Sequence, residues 1–281
     1  MANATKPLVL DETAQRIAEA LEGGGIATPT TAGKTKPDDE TIMIGADGTI
    51  GTNKRRARRN ITTDLENFPA AAAAQKLEKY GYSIGDYFTG ASGYTYILGD
   101  LNPFKGTSTP YCIAVDHFGI VVDTHQTSKW HSADASNVGY AGSDLHAYLT
   151  GTVLTNIKSD IAALFGDWQS HLISHSKLLS TALANWAWTA DQYISALTCT
   201  QADAGSQCTA NEYQEGEASK SLELFRKYKW TEIFGGEYPW TRCLSNHSGG
   251  AYACCLDDYG RLDGSHSVTV AYYAVGLINF H

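Results

Sequence analysis

The chain has 281 residues, a formal net charge of −9, 43% hydrophobic residues and 11% aromatic residues. This length and composition support one folded domain with a sizeable core plus a smaller attachment, and exclude a disordered chain. The acidic balance argues against nucleic acid as a partner, and no apolar run approaches the roughly 18 residues of a membrane helix, so no membrane insertion is expected.

The opening MANATKPLVLDET has no basic region followed by an apolar one, so no secretory signal is expected. Six cysteines without such a signal point to thiols made in a reducing compartment. One alternative stays open: Cys199 and Cys208 bracket the loop CTQADAGSQC and can join in an exported protein. Asp11 reads as an N-cap ahead of Ala14, Ile17, Ala18 and Leu21 on one helical face, with Gly23, Gly24 and Gly25 as the stop. A helix of about twelve residues is marginal alone. TIMIGADGTIGT then sets Ile42, Ile44 and Ile50 around an Asp47-Gly48 turn, a hairpin that is also too small to stand alone. Two undersized elements in succession imply that this region borrows its core from other copies of the chain or from a larger assembly. The run KRRARRN, residues 54–60, reads as a solvated linker, because the protein is acidic and no aromatics are interleaved. The expected division is an attachment and oligomerisation region over 1–66 and a main domain over 67–281.

From Phe68 the composition changes. AAAAAQKLEKY predicts a helix that stops at Gly81. GYTYILGDL and PYCIAVDHFGIVVD are strand-sized blocks. Ser143 is placed to cap a short helix carrying Leu145, Tyr148 and Leu149. TNIKSDIAALFG follows with Ile157, Ile161, Leu164 and Phe165 on one face and Gly166 as its stop. YISALT and VTVAYYAVGLINF close the chain as strands separated by long polar loops. Short helices first and short strands later predict an α+β domain with small antiparallel sheets, not alternating βαβ units.

Taken in order, IGDYF, YTYILG, Trp130, SDLHAYL, YISALT, GEASKSLELF, YPWTRCLSN, LDDYGRLDG and VTVAYYAVGLINF resemble the C-type-lectin-like domains of phage tail proteins and of the variable proteins of diversity-generating retroelements. The resemblance covers roughly 68–281. KPLVLDETAQRIAEAL with TKPDDETIMIGADGTI is similar to the head of phage tail-fibre proteins, where a KPD-x-x-TI segment precedes the receptor-binding domain. The resemblance implies a rigid lectin-like scaffold, a place in the virion tail beside other tail proteins, and a bacterial surface protein or glycan as ligand. In the retroelement family, adenine mutagenesis turns AAY codons into NNY codons, which cannot encode Met, Trp, Gln, Lys or Glu. These five types make up 41 of the 281 residues, so about four are expected in the stretch RCLSNHSGGAYACCLDDYGRLDGSHS over 242–267. None occurs there.

That stretch is the candidate site. As zinc ligands, Cys243, His247, Cys254, Cys255 and His266 have a spacing that matches no common structural site, and adjacent cysteines on a strand point to opposite faces. As calcium ligands, Asp257, Asp258 and Asp263 lack the EF-hand register and its closing glutamate. A Cys243/His247 nucleophile pair has no orienting group or oxyanion donor fixed beside it. His117, His125 and His131, around Trp130, read as surface histidines. No metal, cofactor or catalytic residue is therefore assigned. The alternative is an enzyme on a lectin-like or formylglycine-generating-enzyme-like fold that acts on a cell-surface polymer. A binding face asks less: Asn246, His247, Ser248, Tyr252, Cys254, Asp257, Asp258, Tyr259, Arg261, Asp263, Ser265 and His266 supply amphipathic rings, a planar cation and adaptable polar groups. Trp240 and the strand Tyr272–Phe280 read as the core beneath it. The undersized N-terminal elements and the tail-fibre resemblance predict a homotrimer, which light scattering on the full chain should report. A monomer at micromolar concentration contradicts this reading.

Overall fold

The computed structural model describes residues 41–44, 50–53, 57–107, 109–133, 138–182, 185–202, 221–245, 252–257 and 261–281. The chain forms two compact units, 1–57 and 58–281. In the first, strand β1 (Thr41–Ile44) pairs antiparallel with β2 (Ile50–Asn53), and Ile44 faces Ile50 in the register. The helix expected after Asp11 and the Asp47-Gly48 turn lie outside the described residues.

The second unit begins inside the basic run. Ile61 and Leu65 join its core, and Ile61 N donates to Tyr87 O at 2.8 Å. Arg58 and Arg59 are not solvated linker residues. Arg58 donates to Glu232 O at 2.7 Å and to Gly85 O at 3.1 Å, and its guanidinium stands 5.1 Å from the centre of the Tyr87 ring. Arg59 donates to Gly81 O at 2.7 Å and pairs with Asp64 at 3.2 Å. A guanidinium has five donors, so it can hold loop carbonyls that no strand reaches.

Helix α1 (Phe68–Ala74) has Pro69 in its first turn but ends well before Gly81. Gln75 turns left-handed at φ 51, and its amide donates to Ala72 O and His117 O at 2.8 and 3.1 Å. The break carries Leu77 into the core, an apolar demand that outweighs the alanine propensity. Strands β3 (Tyr87–Thr89), β4 (Thr95–Leu101) and β5 (Phe118–Lys129) follow as an antiparallel set. Ser143 caps helix α2 (Asp144–Tyr148), accepting from His146 N at 3.1 Å, as expected. A π turn at Leu149–Val153 leads into α3 (Leu154–Phe165), which ends at Gly166 with Ile157 and Ile161 buried. The same face buries Asp160. Its carboxylate accepts from Ser92 N at 2.9 Å, from the Ser92 hydroxyl and from the Tyr96 hydroxyl at 2.6 Å, so it pins the β3–β4 turn to the helix. A Cβ on Gly90 would lie 2.2 Å from this carboxylate, so the close approach requires glycine.

The chain continues through β6 (Leu172–Ile173), the hairpin of β7 (His175–Ala182) and β8 (Asn185–Gln192), and β9 (Ile194–Ser195). Helices α4 (Glu223–Lys227) and α5 (Trp230–Phe234) come next. Last are β10 (Trp240–Leu244), β11 (Tyr252–Leu256), β12 (Leu262–Ser267) and β13 (Ala271–Phe280). The main sheet runs β3-β4-β5-β13, with β6 and β9 both on the far edge of β13, while β10-β11-β12 form a second, three-stranded sheet. Short helices and antiparallel sheets make this an α+β fold.

His117 is a correction: it is fully buried, accepting from Phe104 N at 3.3 Å. Cys199 is disulfide-bonded rather than a free thiol, while Cys208, the partner that the open alternative named, lies outside the described residues. Phe68 is the hub of the main core. The rings of Tyr82, Phe88, Phe118, Phe165 and Phe280 surround it at centroid distances of 5.5, 5.5, 5.3, 5.8 and 5.2 Å. These neighbours come from five separate places in the chain, so one cavity would loosen them all. Phe68→Ala should cost about 3–5 kcal/mol in urea unfolding, and Phe68→Leu clearly less. Equal losses would mean that ring packing is not what the site uses.

Candidate functional site

The described residues of 240–267 form the three-stranded sheet β10-β11-β12, and its first two strands are core. All five residues of β10 are buried, as are Ala253, Cys254, Cys255 and Leu256 of β11. Trp240 Nε1 donates to Ser128 O and Trp130 Nε1 to Thr241 O, each at 2.9 Å, which ties β10 to the end of β5. The Thr241 hydroxyl donates to Cys254 O at 2.8 Å. Cys254 and Cys255 point to opposite faces, as the strand period requires. Cys254 packs with Cys199 and Cys243, and Cys255 joins the main core. Burial pushes the Cys255 thiol up to about 12, with Asp263 and Asp257 adding to the effect. Cys254 is therefore removed from the surface set. Arg242, polar in the sequence, is 1% exposed.

The outward residues belong to β12 and to the turn before it. Asp257 and Arg261 close this turn. Asp257 N donates to Arg261 O at 2.9 Å, and the Asp257 carboxylate receives Arg261 N, Nε and Nη2 at 2.8, 2.8 and 2.7 Å. The Arg261 side chain is 73% exposed, so its packing at the turn leaves it facing solvent.

Asp263 and His266 are an odd number of residues apart, which on a regular strand puts them on opposite faces. A bulge brings them together. Cys255 pairs with Asp263 and Ala253 with His266, so two steps of β11 face three of β12. Gly264 sits in the bulge, where a Cβ would meet the Ser245 hydroxyl at 2.8 Å. Asp263 accepts from Ser265 N at 2.9 Å and from the Ser265 hydroxyl, and its other oxygen lies 3.0 Å from His266 Nε2. That carboxylate keeps the imidazole proton on Nε2. Nδ1 is then the acceptor for the Tyr272 hydroxyl at 2.6 Å. The Tyr272 ring stands edge-on to both Trp240 and His266, with centroids 4.9 and 4.8 Å away, and Tyr238 lies 5.9 Å from it. Burial raises the Tyr272 phenol, and the Ser265 hydroxyl is the first cause that lowers the Asp263 carboxyl.

Of the twelve residues expected at this face, Tyr252, Asp257, Arg261, Asp263, Ser265 and His266 reach it, and Tyr252 is only half-buried at the far end, opposite Ser267. Asn246, His247, Ser248, Asp258 and Tyr259 lie outside the described residues. Tyr238 and Tyr272 were not anticipated. The only signal for Tyr272 was a pair of hydroxyl-bearing rings at the start of an otherwise apolar strand. Among the described residues, no group of three or more His, Cys, Asp or Glu side chains could hold a metal ion. No protein-family model matches the chain, and neither a curated protein nor a solved structure gives a match.

The site has a pH signature. A carboxyl held below its ordinary value of 3.8 stabilises the fold above that value and ceases to do so as pH falls through the lowered one. The melting temperature of Asp263→Asn should therefore fall below wild type at neutral pH, and the gap should close on acidification through the carboxylate range. A gap unchanged by pH would assign the order of β12 to something other than this charge.

Proposed function

We propose that the protein is a ligand- or receptor-binding protein that uses β12 and its preceding turn to recognise a bacterial surface protein or glycan. The observation that carries this is the contrast within one short sheet: β10 and β11 are buried, whereas β12 and the turn before it hold Arg261, Asp263, Ser265 and His266 partly or fully exposed in fixed poses. Groups already locked by their own hydrogen bonds lose little freedom when a ligand arrives. A planar cation, an imidazole and tyrosine rings suit both a polar protein surface and a sugar, which needs hydrogen bonds at its rim and an apolar ring face.

In this reading the α+β unit is a C-type-lectin-like scaffold, and the protein belongs to a phage tail tip or to the variable proteins of a diversity-generating retroelement. The N-terminal hairpin and the residues before it serve attachment and trimer formation. What supports the reading is the ordered sequence resemblance, the antiparallel α+β architecture and the absence of five amino-acid types from 242–267.

Replacing Tyr252, Asp258, Tyr259 and Arg261 together by alanine should leave the melting temperature near wild type, since surface changes fall within about ±0.5 kcal/mol each. Trp240→Ala should strongly destabilise the fold, because the ring is buried and holds β10 to Ser128. Binding to target cells, measured by cell pull-down, should drop at least tenfold in the quadruple variant, because Tyr and Arg anchors of a recognition surface each contribute about 2 kcal/mol. A variant that melts normally and still binds removes this face from the recognition surface.

A further inference from the structure

A second polar constellation lies on the main sheet, outside the face just described. Asp123 of β5 sits directly opposite Thr95 of β4 on one side and Val275 of β13 on the other. Beyond it the register of β5 slips. From Asp123 to Thr127 β5 takes four steps, while β13 takes two from Val275 to Tyr273. The extra residues form a bulge propped by Thr124, whose buried hydroxyl donates to Ala274 O at 2.7 Å. At its crest His125 adopts φ 53, a left-handed conformation that a non-glycine residue holds at some cost.

That conformation folds the imidazole back over the strand it came from. The Asp123 carboxylate accepts from His125 N at 2.9 Å, and its second oxygen lies 3.4 Å from His125 Nδ1. His125 Nε2 is 2.8 Å from the Thr95 hydroxyl. Asp123 is 3% exposed, whereas the His125 side chain is half-exposed, so the carboxylate acts from below on a ring that solvent can reach. Burial pushes the Asp123 carboxyl up; the His125 amide and ring and the Arg58 guanidinium counter this, and Glu237 adds to it. The carboxylate 3.4 Å away favours the ring proton on Nδ1, and in that tautomer Nε2 accepts while the Thr95 hydroxyl donates. A hydroxyl bonded to a base, with that base oriented by a buried carboxylate, is the arrangement that activates an alcohol as a nucleophile.

We propose that Thr95 is an acyl acceptor, with His125 as its general base and Asp123 as the positioning residue, and that the chemical class attacked is an ester. In the first step the Thr95 proton passes to His125 Nε2 while Oγ bonds to the acyl carbon and the bond to the leaving oxygen breaks. The imidazolium returns its proton to the leaving alkoxide or to solvent. Water then attacks the acyl-threonine, His125 takes its proton and gives it to Thr95 Oγ, and the carboxylic acid is released. No oxidant, metal or further co-reactant is needed.

The probe is p-nitrophenyl acetate, added to the full-length protein, with nitrophenolate release followed by absorbance and the acetyl group located by peptide mass spectrometry. Wild type should release nitrophenolate as a burst or with turnover, with acetyl on Thr95 when the intermediate is trapped by acid quench. The rate should fall at least tenfold in His125→Gln and in Thr95→Val, since positioned general bases contribute about 10²–10⁴-fold. Thr95→Ser should keep the reaction. Asp123→Asn should lower it, and Asp123→Glu should restore part of it, which a purely structural role would not produce. His125→Gln alters a half-exposed side chain, so its melting temperature should match wild type and its rate remains interpretable even if the Asp123 variants fail to fold. A wild-type rate less than tenfold above His125→Gln, or acetyl found only on lysines or tyrosines, overturns the proposal.

Discussion

The pairing of β5 with the last strand, β13, is the constraint on which the rest of the second unit depends. Nine residue pairs join them, from Ala271 opposite Lys129 to Phe280 opposite Phe118. Because β13 also carries β6 and β9 on its other edge, the main sheet has no complete centre until the final residues are in place. Contacts between residues so far apart in sequence are entropically expensive to close. What offsets that cost is the apolar content of the inner strand, where every residue from Ala274 to Phe280 is buried. Phe280 at its end reaches Phe68, so the beginning and the end of this unit meet in one aromatic cluster.

Each polar constellation sits where a strand pairing stops being regular, the first in β5–β13 and the second in β11–β12. The β5 bulge opposite Tyr273 and Val275 lifts His125 over Asp123. At the start of β13, Tyr272 leaves the core and props His266 from below. A bulge interrupts a ladder at local cost and re-aims a side chain, so it is a device for placing function at the rim of a rigid sheet. The Gly264 bulge in β12 does the same for Asp263 and His266, at a place where the neighbouring Ser245 leaves no space for a Cβ. In each case an imidazole lies between a carboxylate and a hydroxyl. The exposure differs: His125 is half-exposed, whereas 21% of His266 is, beneath an aromatic wall.

Much of the local structure was legible because single residues decide it. Ser143 as a cap, Gly166 as a stop and the Ile157/Ile161 face follow from hydrogen-bonding valence, backbone freedom and helical period, all of which act within a few residues. The same reading failed where distant contacts intervened. The alanine run predicted a helix through to Gly81, yet Gln75 turned the chain because Leu77 had a core to enter. Arg58 and Arg59 looked solvated until loop carbonyls from Gly81, Gly85 and Glu232 were brought to them. His117 looked like a surface histidine, but the chain around Phe104 closes over it.

The candidate face shows the division most clearly. From the sequence alone came the location of an irregular polar stretch beside the C-terminal strand, its lack of a metal-ligand spacing, the buried role of Trp240 and the opposed directions of Cys254 and Cys255. These depend on residue type and on the two-residue period of a strand. Only the tertiary structure decided which polar residues face out. Arg242 and Cys254 are buried because β11 is the central strand and β10, itself an edge, is covered by the chain at Ser128 and Leu197, while Arg261 and His266 lie on the more open β12 side. Composition cannot distinguish a covered edge from an open one, since that property belongs to the neighbours a strand acquires and not to the strand itself.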